Sequence, residues 1–324
     1  MMWSRRKVIA HAVSAGTYLG GQRGFAKASQ PATALDFAMP EHACDCHTHI
    51  FGDVKNFPLF AGRSYTPSTA LPREMSALHQ SLRVERVVIV TPSIYGTDNS
   101  STVYGLKARR GTSKGIAVID EKTAEAELDA MATAGFCGIR LNLATGASVD
   151  TAAARRRLEA AIDRVKGRGW HIQIYASLGL ITSVKDLILA SPVPIVIDHV
   201  AGAKPSLGVT QAGFDVLLEA VRSGKAYVKI THRYIPSGKP PDYADAAPLA
   251  KALIEANPDR ILWGTDWPHP DADAHPGRKP TDVSPLLAID DGLLLNRFAR
   301  WVGSAALLKK ILADNPQRLY RFQV

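Results

Sequence analysis

Cysteine is scarce in this chain, and what there is of it excludes two classes of protein. The three residues, Cys44, Cys46 and Cys137, are odd in number. The first two flank Asp45 on a segment that reads as a strand, so their side chains share a face without the geometry a bridge needs. A disulfide scaffold and a cysteine-based zinc site are both unsupported, and buried free thiols are expected. Long apolar runs are missing too: the longest weakly apolar stretch near the start, residues 10 to 20, falls short of the roughly 20 residues a membrane span requires. Internal repeats, low-complexity tracts, acyl-anchor signals and nucleic-acid motifs are absent. Acidic residues are missing from one place in particular, the first 28 positions, which hold Arg5, Arg6, Lys7, Arg23 and Lys27. The formal charge of +9 therefore shrinks, once that segment is set aside, to 34 basic against 30 acidic residues, and the case for a polyanionic partner goes with it.

The basic segment has a pattern of its own. Ser4-Arg5-Arg6-Lys7-Val8-Ile9 precedes the modest apolar stretch, and Ala26-Lys27-Ala28 follows it before Ser29. Paired arginines, a weak apolar region and an A-x-A-like cleavage site in that order read as a twin-arginine export signal over residues 1–28. The expectation is a chain handed to the twin-arginine export machinery and working in the periplasm, with no membrane attachment after the signal is removed. Residues 29–40 read as a linker, and 41–324 as one catalytic domain.

Within that domain short β-branched runs alternate with helical patterns. The strand candidates are Ala43 to Ile50, Arg86 to Ser93, Gly115 to Asp120, Cys137 to Leu143, His171 to Ser177, Pro194 to Val200, Ala226 to Thr231 and Ile261 to Asp266. Between them, Thr123 to Ala134, Thr151 to Arg168, Thr182 to Leu189, Gln211 to Val221 and Ala246 to Ala256 carry apolar residues at helical spacing. Ser304 to Leu312 and Asn315 to Phe322 read as closing helices. Apolar strands separated by helices imply a parallel sheet covered on its faces, and eight such units close into a (β/α)8 barrel.

Such barrels carry their chemistry at the C-terminal strand ends. Those ends offer His47 and His49, Thr91 and Ser93, Asp120, Arg140 and Asn142, Tyr175, Asp198 and His199, His232 and Arg233, then Asp266 and His269. A single histidine at a strand end is ordinarily a hydrogen-bonded structural residue, and His232 and His269 are read so. His47, His49, His199 and Asp266 converging on one rim are instead read as functional. His47 and His49, two apart, can reach one shared atom. With Asp266 they could hold one zinc or manganese ion in a three-ligand catalytic site, but the fifth strand supplies Tyr175, a poor zinc ligand. Without a metal, the imidazoles can polarise a carbonyl oxygen and the carboxylate can take a proton from water. The residues favour no metal cofactor and leave the question open. A guanidinium at a strand end matches a carboxylate bidentately, so Arg140 and Arg233 are candidate clamps for an anionic substrate; the competing reading for Arg140 is an ion pair with a structural acid such as Asp120. The loop Val54 to Arg73, Ser237 to Pro241 and Ala272 to Val283 are candidate covers of the mouth, with Arg63, Tyr65 and His275 as residues that could touch substrate or simply face solvent.

His47-Thr48-His49, Tyr95-Gly96-Thr97-Asp98-Asn99, Gly138-Ile139-Arg140-Leu141-Asn142, Ile197-Asp198-His199, Trp263-Gly264-Thr265-Asp266-Trp267-Pro268-His269-Pro270 and Asn315-Pro316-Gln317-Arg318-Leu319-Tyr320 together resemble the amidohydrolase superfamily over about residues 41–322. More narrowly the chain resembles the branch that includes 2-pyrone-4,6-dicarboxylate lactonase and D-galactarolactone isomerase. The resemblance implies a distorted (β/α)8 barrel acting on small carboxylated lactones without a divalent metal. It implies Asp266 as the general base, His47, His49 and His199 around the lactone carbonyl, and Tyr175 in the place where metal-dependent relatives carry a ligand. Arg140 and Arg233 would hold a carboxylate, with Ser93 and Tyr175 lining the substrate. Ala144-Thr145-Gly146 departs from the basic residues expected there, which argues against a planar dicarboxylate. The alternatives are a sugar-acid lactone isomerase on the same residues, a metal-dependent hydrolase or decarboxylase, and a non-catalytic periplasmic binder of acidic sugars.

Overall fold

The computed structural model describes residues 28–143, 150–231, 243–273 and 275–323. Eight parallel strands run in chain order around one sheet: β1 Cys44–Thr48, β2 Arg86–Val90, β3 Ser113–Ala117, β4 Phe136–Asn142, β5 His171–Tyr175, β6 Ile195–Ile197, β7 Ala226–Thr231 and β8 Ile261–Gly264. This is the barrel that the alternation of elements predicts. The sheet has no β1–β8 ladder among the described residues; the ring is drawn together at its C-terminal rim. There Asp266 N donates to His47 O at 2.8 Å and His49 N to Trp267 O at 2.8 Å, beside a parallel bridge from Thr48 to Trp267. The seam thus lies between the two motifs that matter most.

Around the barrel lie α1 Pro72–Ser81, α2 Ser100–Ala108, α3 Glu125–Ala134, α4 Thr151–Val165, α5 Leu178–Ser183, α6 Lys185–Ala190, α7 Phe214–Arg222, α8 Ala247–Ala256, α9 Asp291–Val302, α10 Ala305–Lys309 and α11 Asn315–Tyr320. The single helix expected over Thr182 to Leu189 is two short ones meeting at Val184. Local signals fix several ends: Asp150, Ser177, Asp290 and Ser304 cap their helices through their side chains, satisfying amides that the first turn leaves without partners. No helix among the described residues is long and apolar enough to cross a membrane.

A bulge in β1 decides what faces the lumen. Between β1 and β2 the register advances three residues, Asp45 to Thr48, against two, Val87 to Ile89. One extra residue on one strand reverses the inward and outward alternation beyond it. Cys44 and Cys46 consequently pack inside with Val88, Val196 and Leu262 from other strands and with Tyr320 at the barrel floor, while past the bulge His47 and His49 also turn inward. A regular strand could not have shown both sets to the lumen.

The segment read as a linker is held against the barrel. Ala32 N and the Thr33 hydroxyl donate to Asp290, Asp36 N to Asn296 Oδ1, and Asn296 Nδ2 returns a bond to Ala34 O. Gly292 permits this approach, since a Cβ there would lie 2.0 Å from Thr33 O.

Candidate active site

The strand ends on which the site depends stop earlier than the sequence suggests. β6 ends at Ile197, and His199 follows in a turn with φ 53°; β8 ends at Gly264, and Asp266 sits beyond it at φ 61°. Non-glycine residues in the left-handed region cost of order 1–3 kcal/mol and persist where the surroundings fix them. Here both side chains are aimed into the rim.

Asp45 does much of the fixing. Its Oδ1 accepts from His47 N at 3.1 Å and Thr265 N at 3.0 Å, and its Oδ2 from the Thr265 hydroxyl at 2.5 Å and His79 Nε2 at 3.1 Å. Behind His79, Arg109 donates to Nδ1 at 2.9 Å. One buried carboxylate thereby ties the β1 motif to the β8 motif, which explains why an aspartate stands two residues before His47. Gly264 serves the same seam, because a Cβ there would lie 2.8 Å from His47 N and Cβ.

The four residues read as functional do meet. Asp266 Oδ1 lies 3.4 Å from His49 Nε2 and 3.6 Å from His47 Nε2, and the His47 ring centroid is 4.6 Å from that of His199 and 5.0 Å from that of His49. Their other ring nitrogens are tethered: His49 Nδ1 donates to Val90 O at 2.7 Å and His199 Nδ1 lies 2.7 Å from the Thr231 hydroxyl. Asp266 Oδ2 and His47 Nε2 are buried and have no hydrogen-bond partner among the described residues. Burial pushes the Asp266 carboxyl up, but the contact with His49 and the neighbouring His199 and His47 more than offset it and hold the group below the usual carboxylate range. Burial takes His199 down to about 4 and His47 well below its ordinary value, with Asp198 opposing. Near neutral pH the site holds a carboxylate beside the neutral imidazoles of His47 and His199.

The cleft above measures about 560 Å³ counted to its open mouth and is lined by His49, Ser64, Tyr65, Ser93, Arg140, Asn142, Tyr175 and His199, with Pro92, Pro270, Ala272 and Asp273. Ser93, Arg140 and Tyr175 thus line the cleft, Ser93 from a turn beyond β2 rather than from the strand itself, and Tyr65, read more readily as a solvated loop residue, is buried in its wall. Arg63 instead turns to Thr66 and Phe60 O, and His275 pairs with Asp271 at 3.0 Å. His269, read as structural, pairs with Asp291 at 2.9 Å. Arg233, His232, Ala144 to Gly146 and Ser237 to Pro241 lie outside the described residues.

Arg140 requires a correction to the acid considered for it. Asp120 sits in an exposed turn with Thr123, because β3 ends at Ala117 rather than at 120. The partner is Asp198: Arg140 Nε donates to Asp198 Oδ2 at 3.1 Å, and the guanidinium lies 5.3 Å over the Tyr175 ring. Its two terminal nitrogens make no hydrogen bond to another described residue, so the ion pair with Asp198 leaves both of them available. Beneath it lies a layer that sequence reasoning missed: Gln173 donates to Asp198 Oδ2 at 2.9 Å, and Lys229, fully buried, donates to Gln173 Oε1 at 2.6 Å. The signal was there in Tyr227-Val228-Lys229-Ile230-Thr231, a lysine at an inward position of an apolar strand.

Among the described residues two groups could hold a metal by donor type and spacing, His47, His49 and Asp266, and His47, Asp198 and His199, each with donor atoms within 4.8 Å of one another. The first fits a three-ligand catalytic ion.

Comparison with known proteins agrees with this architecture. The chain is 32% identical over 305 residues to a 2-pyrone-4,6-dicarboxylate hydrolase from Comamonas testosteroni, covering 91% of this chain and 94% of that one. It is 34% identical over 291 residues to a 4-sulfomuconolactone hydrolase from Rhizobium radiobacter, covering 88% and 92%. A crystal structure of a Pseudomonas putida protein titled a putative 2-pyrone-4,6-dicarboxylic acid hydrolase superposes with a TM-score of 0.71 at 26% identity, covering 89% of this chain and 100% of that one. The amidohydrolase family profile matches residues 44–322, from the first barrel strand to the last turn, and the chain belongs to that family.

Proposed function

We propose that the protein is a metal-independent hydrolase of a small carboxylated lactone, with Asp266 as general base. The observation that carries this is the rim geometry: a buried carboxylate with one oxygen facing two imidazoles at 3.4 and 3.6 Å and the other without a partner among the described residues, beneath a cleft that Arg140 helps to line. The relatives named above as lactone hydrolases support the substrate class.

In this reading Arg140 holds the substrate carboxylate, with Asp198 behind it keeping the guanidinium in place, while Ser93 and Tyr175 contact the ring and Arg233 is a candidate second clamp. Asp266 takes a proton from water as the water oxygen bonds to the lactone carbonyl carbon. The oxyanion is held by ring N–H groups from the histidines. The tetrahedral intermediate then collapses, the ring C–O bond breaks, and the departing oxygen takes the proton back from Asp266, giving a ring-opened acid. Asp266 is ionised across the ordinary pH range and so is in the form that can accept this proton.

A second reading has one divalent ion held by His47, His49 and Asp266, favoured by the spacing of those donors; the ion would supply Lewis-acid polarisation of the carbonyl and a more acidic bound water. We further propose export through the twin-arginine pathway to the periplasm, on the strength of residues 4–28.

The test is a panel of sugar-acid lactones and pyrone carboxylates assayed with and without chelator, beside elemental analysis. Hydrolysis that survives chelation of metal-free protein is expected. Asp266→Asn keeps the shape and removes the basicity, and should lower kcat by about 10²- to 10⁴-fold with an unchanged circular dichroism spectrum. Labelled water separates the alternatives: oxygen label in the product means hydrolysis, an unlabelled rearranged product means isomerisation, and tight binding without turnover means a binding protein.

A further inference from the structure

Lys229 has no part in the chemistry above, yet it occupies the floor of the site. It is fully buried at the middle of β7, and its Nζ lies 2.6 Å from Gln173 Oε1, 3.4 Å from His47 Nδ1 and 3.6 Å from Asp198 Oδ1. An ammonium can donate three hydrogen bonds and accept none; burial lowers the Lys229 amine below its ordinary range, and the adjacent Asp198 carboxylate opposes that by favouring the charged form.

His47 Nδ1 has two neighbours that make opposite demands. Lys229 asks it to accept. Asp198 Oδ1, 3.3 Å away, asks it to donate. Two observations weigh for the lysine: its Nζ stands at hydrogen-bonding distance and angle from Nδ1 and as an ammonium can only donate, whereas the Asp198 Oδ1 contact lacks the geometry of a hydrogen bond among the described residues. A neutral imidazole carries one proton, so an accepting Nδ1 leaves the proton on Nε2. That Nε2 is the buried atom without a hydrogen-bond partner among the described residues, 3.6 Å from Asp266.

We propose that Lys229 is a positioning residue that fixes His47 as the Nε2–H tautomer, presenting an N–H to the lactone oxygen in place of a lone pair. The consequence for turnover rests on the lactonase reading; the tautomer itself does not. An Nε2–H donates to a developing oxyanion. A metal ligand needs the reverse, a lone pair on Nε2 with the proton on Nδ1 given to a carboxylate, and Asp198 stands ready to take that proton if the lysine is removed. Lys229 therefore biases the floor of the site against an ion at His47, and removing it should turn an oxyanion donor into a ligand.

Nitrogen-15 spectra of the histidine side chains, with His47 assigned by its loss in His47→Gln, read this directly. In the unaltered protein near neutral pH, His47 should show a pyrrole-type Nε2 and a pyridine-type Nδ1; the opposite pattern overturns the proposal without any lysine variant. In Lys229→Met the two shifts should exchange, and zinc added alone should bind at least about tenfold more tightly by calorimetry. An unexchanged tautomer in a folded Lys229→Met protein also overturns it. Should that variant fail to fold, the unaltered protein still decides. With a lactone substrate in hand, Lys229→Met should lower kcat by about ten- to hundredfold with KM little changed. Failure of the lactonase reading leaves the spectra unaffected, so the two can fail separately.

Discussion

Single residues at the site are governed by the cost of charging a ring inside the barrel. Burial takes His199 to about 4 and His171, at the barrel floor, to about 3. The unfolded chain binds protons on these rings below about pH 6.5 that the folded chain refuses until pH 4 or lower. Stability is thus full above about pH 6.5 and falls as pH drops through that window, by about 3 kcal/mol for His199 alone. Asp266 acts in the same sense at lower pH, since a depressed carboxyl contributes stability that is lost as acid protonates it. Urea midpoints should decline steadily from pH 7 to pH 4.5, and His171→Leu should lessen the decline without touching the catalytic residues. A midpoint flat across that range would show that these rings are not buried neutral. At this scale the sequence was most legible where chemistry and position coincide, as with Asp266, His47, His49, His199 and Arg140. It was least legible where function depends on which of two neighbours a side chain chooses. Arg140 turning to Asp198 rather than Asp120, and Lys229 lying under His47, depend on strand register, which spacing along one strand does not reveal.

Elements set that register, and β1 sets it in an unusual way. Its bulge turns two histidines inward just beyond two inward cysteines, and Asp45 locks the result to the β8 motif with two hydrogen bonds from Thr265 while holding His47 N and His79 with two more. Asp45→Ala would strand the His79 and Thr265 donors and should cost about 3–5 kcal/mol, measured by chemical denaturation. Gly264→Ala tests position rather than stability. Its new methyl group would press on His47 backbone and Cβ, costing about 1–3 kcal/mol, while turnover should fall further than that loss of folding energy explains, because His47 is displaced. The eight strands were legible from their apolar runs and intervening helices. Their ends were not: β3, β6 and β8 stop before the polar residues that alternation would have kept on the strand, since His199 and Asp266 adopt left-handed turns that no hydrophobic pattern encodes. Likewise Asn99, inside one of the motifs that carry the family resemblance, has a structural role, accepting from Thr91 and from Val118 N and donating to Val118 O.

At the scale of the whole molecule, the basic start and the near-neutral remainder behave as separate units of charge, and the proposed export is checked by fractionation. Full-length chain should reach the periplasm and lose its first 28 residues, whereas Arg5→Lys with Arg6→Lys should stay in the cytoplasm. The segment over residues 32–36 is anchored along α9, so Gly292→Ala, which places a methyl group against Thr33 O, should release it and expose it to proteolysis without abolishing the barrel. The seam between β1 and β8 has a broader consequence. Because the bonds that close the circle are made by the backbones of His47, His49, Asp266 and Trp267, a ligand touching those side chains spans the join like a clasp. Occupancy should therefore slow deuterium uptake at the amides of His49 and Asp266 more than at the centre of β4, and a barrel without its ligand should breathe first along this line.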